Sequence, residues 1–352
     1  MPGGSEAHHQ AEADDLDSGG KPALPHRAAW KGAQDQVSSL AVQLVDRSSG
    51  RSEGLFCADR IPSRLFPGFD ILRVERFGGF RRAEVARGAV EALARVADGE
   101  GRVVRTRVEL FSLDPNDLGL VADLLETEGF ARSEEPRCYE ETALLDLAPP
   151  LEEVFSGLHG TARRHVRAVD KNPVEIREIL DEDLAPRMSR LLADTFERTG
   201  AVPDGRDWAS VIRFSGDHPS LSRLLGLFRT DETGPEALLA FVWGACHGSS
   251  VEYVSGASTR VRDLKMPLSY GLMWKLIEWG HAQGALRFDF GGISAGSHHS
   301  QDPVGGISDF KRYFRPDVQT VGAEFVRAES AALEVASRVV GRLRALGGAG
   351  SS

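Results

Sequence analysis

The sequence has few cysteines and no long apolar run. Its three cysteines, Cys57, Cys138 and Cys246, lie far apart and form no CxxC pair. A disulfide scaffold or a cysteine-based zinc site is therefore disfavoured, and a reducing environment fits. No apolar stretch reaches the roughly 18–20 residues that a membrane-spanning helix needs. We expect a cytoplasmic protein without a membrane span.

The chain also has no excess of positive charge. Its 42 lysines and arginines face 52 aspartates and glutamates, a formal net charge of −10. This balance argues against unselective binding of nucleic acid over the whole surface. Basic residues are nevertheless concentrated in three short segments, and a polyanion site is expected where the fold brings them together. These residues are Arg163, Arg164, Arg167, Lys171 and Arg177, then Arg260, Arg262 and Lys265, and finally Lys311, Arg312 and Arg315.

Length and pattern divide the chain into three parts. Its 352 residues are too many for one core of ordinary size, so two domains are expected. Residues 1–36 show no apolar periodicity and predict a disordered tail. The best linker is Pro149-Pro150. We therefore predict a first domain over residues 37–148 and a second over residues 151–346.

The order of predicted elements is similar in the two halves. The first half predicts a hairpin at 40–58, a strand at 71–74, a helix at 83–96, a strand at 103–111, a helix at 115–128 and a closing strand at 138–147. The second half predicts helices at 181–198 and 206–214, a meander at 224–255, a helix at 267–283, a strand at 286–290, a helix at 306–314 and a last strand at 321–326. These patterns predict an α/β fold with two mixed sheets in tandem.

One strand and one helix near the end of the chain carry the clearest chemical signal. The strand Arg287-Phe288-Asp289-Phe290 runs into Gly291-Gly292, and these glycines allow a positive φ or a close backbone approach. The helix carries Phe310-Lys311-Arg312-Tyr313-Phe314, in which a lysine is flanked by aromatic residues. Such a lysine beside an opening in a sheet suits recognition of a phosphate or of a developing oxyanion.

These motifs resemble those of a known group of transferases. The element order of the second half is similar to that of the Gcn5-related N-acetyltransferases, or GNAT fold. Together with Gly256-Ala257-Ser258 after the fourth strand, the Phe-Asp-Phe-Gly-Gly strand end and the Phe-Lys-x-x-Phe helix resemble the Fem family. Ordinary GNAT enzymes hold the pyrophosphate of acyl-CoA on a glycine-containing loop before a helix. Here the equivalent segment, 260–267, has no glycine and contains Pro267, so acyl-CoA is a poor fit.

The resemblance implies tandem GNAT domains and an aminoacyltransferase that moves an amino acid from aminoacyl-tRNA onto an amine. Aminoacyl-tRNA is then a co-substrate, and no other cofactor is implied. Lys311 would neutralise charge at the transfer centre, and Phe310 would shape the pocket. The acceptor remains open between a small natural-product intermediate and a muramyl peptide of a peptidoglycan precursor. The alternatives are an acyl-CoA-dependent N-acyltransferase and a binding module without catalysis.

Candidate site residues follow from these motifs. Beside Lys311, the catalytic candidates are Asp289, which faces the cleft or pairs with an arginine, and Tyr253, which is a packed strand residue or a proton donor. The substrate-binding candidates are Phe310, Gly291, Gly292 and Tyr313. The tRNA-binding candidates are Arg163, Arg164, Arg167, Lys171, Arg262, Lys265 and Arg312. No metal is predicted, because His298-His299 and Asp302 lack a further ligand at a recognisable spacing.

Overall fold

The computed structural model describes residues 22–34, 37–46, 48–199, 205–261, 263–294, 296 and 305–328. These residues form two units, one containing the chain up to Glu140 together with the chain from Thr320 onward, and the other spanning residues 141–319. Arg262, His298, His299 and Asp302 lie outside the described residues.

The first unit is built on a six-stranded mixed sheet in the order β1-β2-β3-β4-β13-β5. Its strands are β1 (Ser38–Val45), β2 (Ser52–Pro62), β3 (Asp70–Phe77), β4 (Val103–Phe111), β5 (Ala131–Arg132) and β13 (Gly322–Ala328). A short helix, α1 (Ala28–Gly32), precedes the sheet, and α2 (Ala83–Gly99) and α3 (Pro115–Thr127) cover one face. The core on that face joins Val74, Leu93, Val108 and Leu125, all of them fully buried.

The second unit is built on a seven-stranded sheet in the order β12-β6-β11-β10-β9-β8-β7. Its strands are β6 (Glu141–Asp146), β7 (Val174–Glu178), β8 (Ser222–Arg229), β9 (Leu238–His247), β10 (Ser250–Ser258), β11 (Arg287–Gly292) and β12 (Asp317–Thr320). Its helices are α4 (Leu151–Gly157), α5 (Gly160–Val166), α6 (Ala185–Thr199), α7 (Trp208–Asp217), α8 (Ser269–Ala282) and α9 (Gly305–Arg312).

Helix α8 lies close against the middle of this second sheet. Leu272, Leu276 and Ile277 are fully buried. A Cβ atom on Gly244 in β9 would lie 2.6 Å from Cδ1 of Leu276, so glycine is what lets the helix approach the strand. No helix in the described part of the chain is both long and apolar enough to cross a membrane.

The two sheets exchange their closing strands, which corrects the predicted assignment. Strand β6 was expected to close the first sheet, but it pairs with β11 in the second, where Leu145 lies opposite Phe288. Strand β13 was expected in the second sheet, but it pairs with β4 in the first, where Phe325 lies opposite Val108. Alternating apolar residues report which side of a strand is buried, but they do not report which sheet accepts it. The units consequently divide after Glu140 rather than at Pro149-Pro150.

Part of the predicted disordered tail is ordered, so that prediction is wrong for residues 22–34. Leu24 and Trp30 are buried in the first unit, with 2% and 6% of their surfaces exposed. Nζ of Lys31 lies 2.5 Å from Oδ1 of Asp59, a buried residue of β2. Isolated apolar residues in a short segment show no helical or strand period, which is why the pattern was missed. Residues 1–21, 35 and 36 lie outside the described part.

Candidate functional site

The candidate site lies where β10 and β11 part. These strands run parallel. Residues Ser250–Glu252 of β10 pair with Arg287–Asp289 of β11, and the described pairing ends after Glu252 and Asp289. Beyond Tyr253, β10 carries a bulge against β9, while β11 carries a bulge against β6 before Gly292. Gly291 has a φ of 72°, a left-handed conformation that favours glycine. We call the opening after the Glu252–Asp289 pair the fork.

Lys311 reaches this fork from the last turn of α9. Its side chain is buried, with 5% exposed, and Nζ donates a hydrogen bond to the carbonyl oxygen of Gly292 at 2.5 Å. Burial lowers the pKa of Lys311 to about 8, although the carboxylates of Asp289 and Glu252 act in the opposite direction. The lysine therefore remains mostly protonated at neutral pH, as a poorly hydrated cation.

Asp289 is buried on the sheet face opposite Phe288 and Phe290. Those two rings belong to the core under α8, whereas the carboxylate of Asp289 accepts hydrogen bonds from Oγ1 of Thr142 and from N of Gly291 at 2.7 Å. The carboxylate thereby holds the left-handed peptide at Gly291 and places a negative charge near Lys311. This arrangement gives Asp289 a positioning task, while its role as a base stays a prediction.

Glu252 completes the fork and was missed by the sequence analysis. It is the register partner of Asp289, and its Oε2 lies 2.9 Å from Nε2 of His247 at the end of β9. Its charge also raises the pKa of Lys311. The available signal was a glutamate in the interior of a central strand, a position that seldom holds an ionised group without a partner.

Tyr253 is half-buried and packs against the core of the second unit. Burial raises the pKa of its phenol to about 12, so the hydroxyl keeps its proton at neutral pH. A Cβ atom on Gly256 would lie 2.7 Å from that hydroxyl oxygen. The Gly-Ala-Ser motif thus makes room for the tyrosine hydroxyl, which can act there as a hydrogen-bond donor.

The aromatic residues around Lys311 fix the end of α9. The Phe310 ring lies 4.8 Å from that of Tyr270 in α8, and the Phe314 ring lies 5.2 Å from that of Phe290 in β11. Tyr270, which sequence reasoning missed, also contacts the ring of Phe314 at 5.7 Å. Contacts to both a helix and a strand restrict the direction in which Lys311 points.

The predicted tRNA-binding residues divide into exposed and internally bonded groups. Arg163 donates to the carbonyl oxygen of Ser156 at 2.9 Å. Arg312 donates to the carbonyl oxygens of Ser294 and Gly296 and pairs with Asp309, so its guanidinium group is bonded within the protein. The exposed members are Arg164, Arg167, Lys171 and Lys265.

The segment that would hold a diphosphate in an ordinary GNAT enzyme is different in the second unit. In its described part, between β10 and α8, Leu264 and Met266 are buried and Asp263 pairs with Arg229. Helix α8 begins after Leu268, without a side-chain cap. This described part therefore has buried apolar side chains and an ion pair where an ordinary GNAT enzyme has a glycine-containing loop.

The matching turn of the first unit, between β3 and α2, has glycines but is already occupied. Gly78 and Gly79 have φ values of 144° and 73°. The N–H groups of Gly79 and Phe80 donate to the two carboxylate oxygens of Asp117, at 2.7 Å and 3.2 Å. A side chain of the protein therefore sits where an anion would bind. In neither unit do three His, Cys, Asp or Glu side chains of the described residues meet to hold a metal ion.

Comparison with solved structures shows the fold. The structure of FemX has a TM-score of 0.71 and 13% identity, over 91% of this chain and 96% of that chain. L-PGS from Bacillus licheniformis has a TM-score of 0.52 and 14% identity, over 95% and 96%. A tandem GNAT protein from the clavulanic acid biosynthesis pathway has a TM-score of 0.51 and 14% identity, over 92% and 96%.

These likenesses confirm the predicted fold class, which is two mixed α/β units of the GNAT type in tandem, and at the level of fold they confirm the resemblance to the Fem family. No protein-family profile matches the chain, and no curated protein matches it by sequence.

Proposed function

We propose that this protein is an aminoacyltransferase that moves an amino acid from aminoacyl-tRNA onto a primary amine and forms an amide. The observation that carries the proposal is the buried ammonium group of Lys311 at the fork, bonded to the carbonyl oxygen of Gly292. We infer aminoacyl-tRNA as the acyl donor because the Lys311 helix and the Gly291-Gly292 strand end resemble those of the Fem family. Such a donor places the reaction in the cytoplasm.

The proposed chemistry needs alignment and charge stabilisation more than a protein nucleophile. The acceptor amine attacks the ester carbonyl, and the carbonyl oxygen gains a negative charge in the tetrahedral intermediate. The C–O bond to the ribose then breaks, the amide forms, and the proton lost by the amine ends on the ribose hydroxyl. A fixed cation in a site of low polarity stabilises the oxyanion without reorganisation, which is the role proposed for Lys311.

Two observations favour this donor over acyl-CoA. In the second unit the described segment before α8 has no glycine and carries the buried Leu264 and Met266. In the first unit the N–H groups of Gly79 and Phe80 already bind the carboxylate of Asp117. An acyl donor that binds through a diphosphate on a glycine turn therefore lacks that turn in the described segment of the second unit and finds those N–H groups engaged in the first.

The proposed acceptor is either a small natural-product intermediate or a muramyl peptide, and both present a primary amine. A transfer assay with total charged tRNA and a panel of such amines, followed by mass spectrometry, distinguishes them by product mass. We expect product formation to stop after RNase treatment of the donor. Product formation from acyl-CoA that resists RNase would refute the proposal.

Lys311→Ala tests whether the site is catalytic. Removal of one oxyanion donor lowers kcat by roughly 10²–10³ in well-studied hydrolases, and we expect a loss of that order. Lys275→Ala is the matched control, because Lys275 is an exposed lysine of α8 paired with Glu278. A binding module without catalysis would show no turnover in any variant and would keep its partner affinity in both.

A further inference from the structure

We propose that the rings of His159 and Tyr313 form a stacking platform for an unpaired base at the 3′ end of the tRNA. The exposed cations of the neighbouring helix α5 would bind the phosphates of the same single strand. This inference rests on the proposed function, because it names the part of the tRNA that the site contacts.

The two rings contact each other, and the backbones that carry them are joined before any ligand binds. N of His159 donates to the carbonyl oxygen of Tyr313 at 3.1 Å, and the ring centroids lie 5.2 Å apart with the ring planes tilted by 49°. The His159 ring is fixed from its other side, because its Nδ1 accepts a hydrogen bond from N of Thr161 at 3.1 Å and caps α5. Ordered rings lose little freedom when a base stacks on them.

The Tyr313 ring is open to solvent, the His159 ring is partly buried, and the pair is continuous with the buried aromatic residues beside Lys311. Tyr313 is 36% exposed, a high value for a tyrosine that contacts the core. Its ring lies 6.4 Å from that of Tyr270, which in turn contacts Phe310. Tyr313 directly follows α9, the helix that carries Lys311, so a base stacked on its ring lies at the end of that helix.

Positive charge lies on the same segment as the platform. Helix α5 begins directly after His159 and carries the exposed Arg164. The exposed Arg167 is its C-terminal cap, and Lys171, also exposed, follows in the next turn. The whole chain has a net charge of −10, so this cluster is local. Exposed aromatic rings next to several cations are the combination that binds single-stranded nucleic acid, through stacking and phosphate contacts.

The contribution of the platform is measured with two hairpin RNAs that mimic the acceptor arm of a tRNA. One ends in a single-stranded CCA overhang and the other is blunt. We expect Tyr313→Ala to weaken binding of the overhang hairpin by roughly 5- to 150-fold, the range for one stacked base, without affecting the blunt hairpin. Tyr313→Phe keeps the ring and is expected to bind the overhang as the wild type does.

Two further variants separate stacking from charge. His159→Asn keeps a side-chain acceptor that can cap α5 but removes the ring, so we expect it to weaken only the overhang hairpin. Arg164→Ala is expected to weaken the overhang hairpin and to reduce its slope of log K against log salt by about 0.7 for each lost phosphate contact in the single strand. Tyr313→Ala should leave that slope unchanged.

The outcomes distinguish this inference from the proposed function. If charged tRNA supports RNase-sensitive transfer but Tyr313→Ala binds the overhang as tightly as the wild type, the platform is wrong and the function stands. An equal loss of affinity for both hairpins in Tyr313→Ala also refutes the platform. If the wild type neither binds the hairpins nor transfers from charged tRNA, the proposed function fails as well.

Discussion

Replacement of Lys311 by methionine is expected to stabilise the fold while it lowers the rate of transfer. Burial lowers the pKa of this lysine from the ordinary 10.5 to about 8. At about 1.36 kcal/mol per pKa unit, the folded state holds the charged form at a penalty of roughly 3 kcal/mol. Methionine removes the charge and keeps the apolar stem, but it also removes the hydrogen bond to the oxygen of Gly292, worth about 1 kcal/mol.

The net expectation for Lys311→Met at pH 7 is a gain of roughly 2 kcal/mol in the free energy of unfolding. For a unit of about 150–250 residues this corresponds to a rise of roughly 4–8 °C in Tm. Thermal unfolding followed by circular dichroism measures the shift. Lys275→Met is the control, and since Lys275 is exposed and pairs with Glu278, we expect little change.

The pH dependence of this gain checks its cause. Between pH 8 and about 10.5 the folded wild type releases the proton of Lys311 while the unfolded chain still holds it. The unfolded state then binds more protons, so the stability of the wild type rises with pH and the advantage of methionine disappears. A Lys311→Met variant that is less stable than the wild type at pH 7, or that keeps the same advantage at pH 10, would refute the reasoning.

Two further variants test the surroundings of the site and the closed turn of the first unit. In Glu252→Gln the charge that raises the pKa of Lys311 is lost, so the alkaline fall of kcat should begin at a lower pH than in the wild type. An unchanged pH profile would show that Glu252 does not act on the lysine. Asp117→Ala leaves the N–H groups of Gly79 and Phe80 without their acceptor and is expected to lower the free energy of unfolding by about 1–3 kcal/mol. Denaturant unfolding measures this loss, and a stability equal to that of the wild type would contradict the observed contacts.

Local patterns predicted most elements of the fold. The apolar stripe over 83–96 is the helix Ala83–Gly99, and Asp114 caps the next helix by accepting from N of Asn116. These features depend on neighbours within a few residues, which a sequence displays directly. The exchange of β6 and β13 between the sheets depends on pairing over long separations, and alternation in one strand carries no information about its partner.

The candidate site was likewise predicted only in part, because a sequence displays local neighbours and does not display distant ones. The structure places Lys311 at the opening that the glycine pair of β11 indicates, because the motif and its helix are close in sequence. Glu252 and His247 come from a different hairpin. The position of Glu252 opposite Asp289 follows from the register of β10 and β11, and His247 contacts Glu252 from β9. Arg312 was predicted to bind tRNA. The sequence does not show that its guanidinium group donates to backbone carbonyl oxygens of this unit, which only the structure reveals.

The two units share a fold but differ at the turn where GNAT enzymes bind a diphosphate. This difference supports aminoacyl-tRNA, rather than acyl-CoA, as the proposed donor. The first unit has a glycine turn, and the N–H groups of Gly79 and Phe80 in that turn donate to the carboxylate of Asp117. In the second unit the described segment before α8 has no glycine, and the cation is a side chain, Lys311, at the fork itself. A positive charge at the point of transfer acts on the reacting carbonyl, whereas a glycine turn holds a distant diphosphate. Under the proposed function the RNA part of the donor binds at another surface of the second unit, and the exposed cations in and after α5, beside Tyr313, are the surface proposed for it.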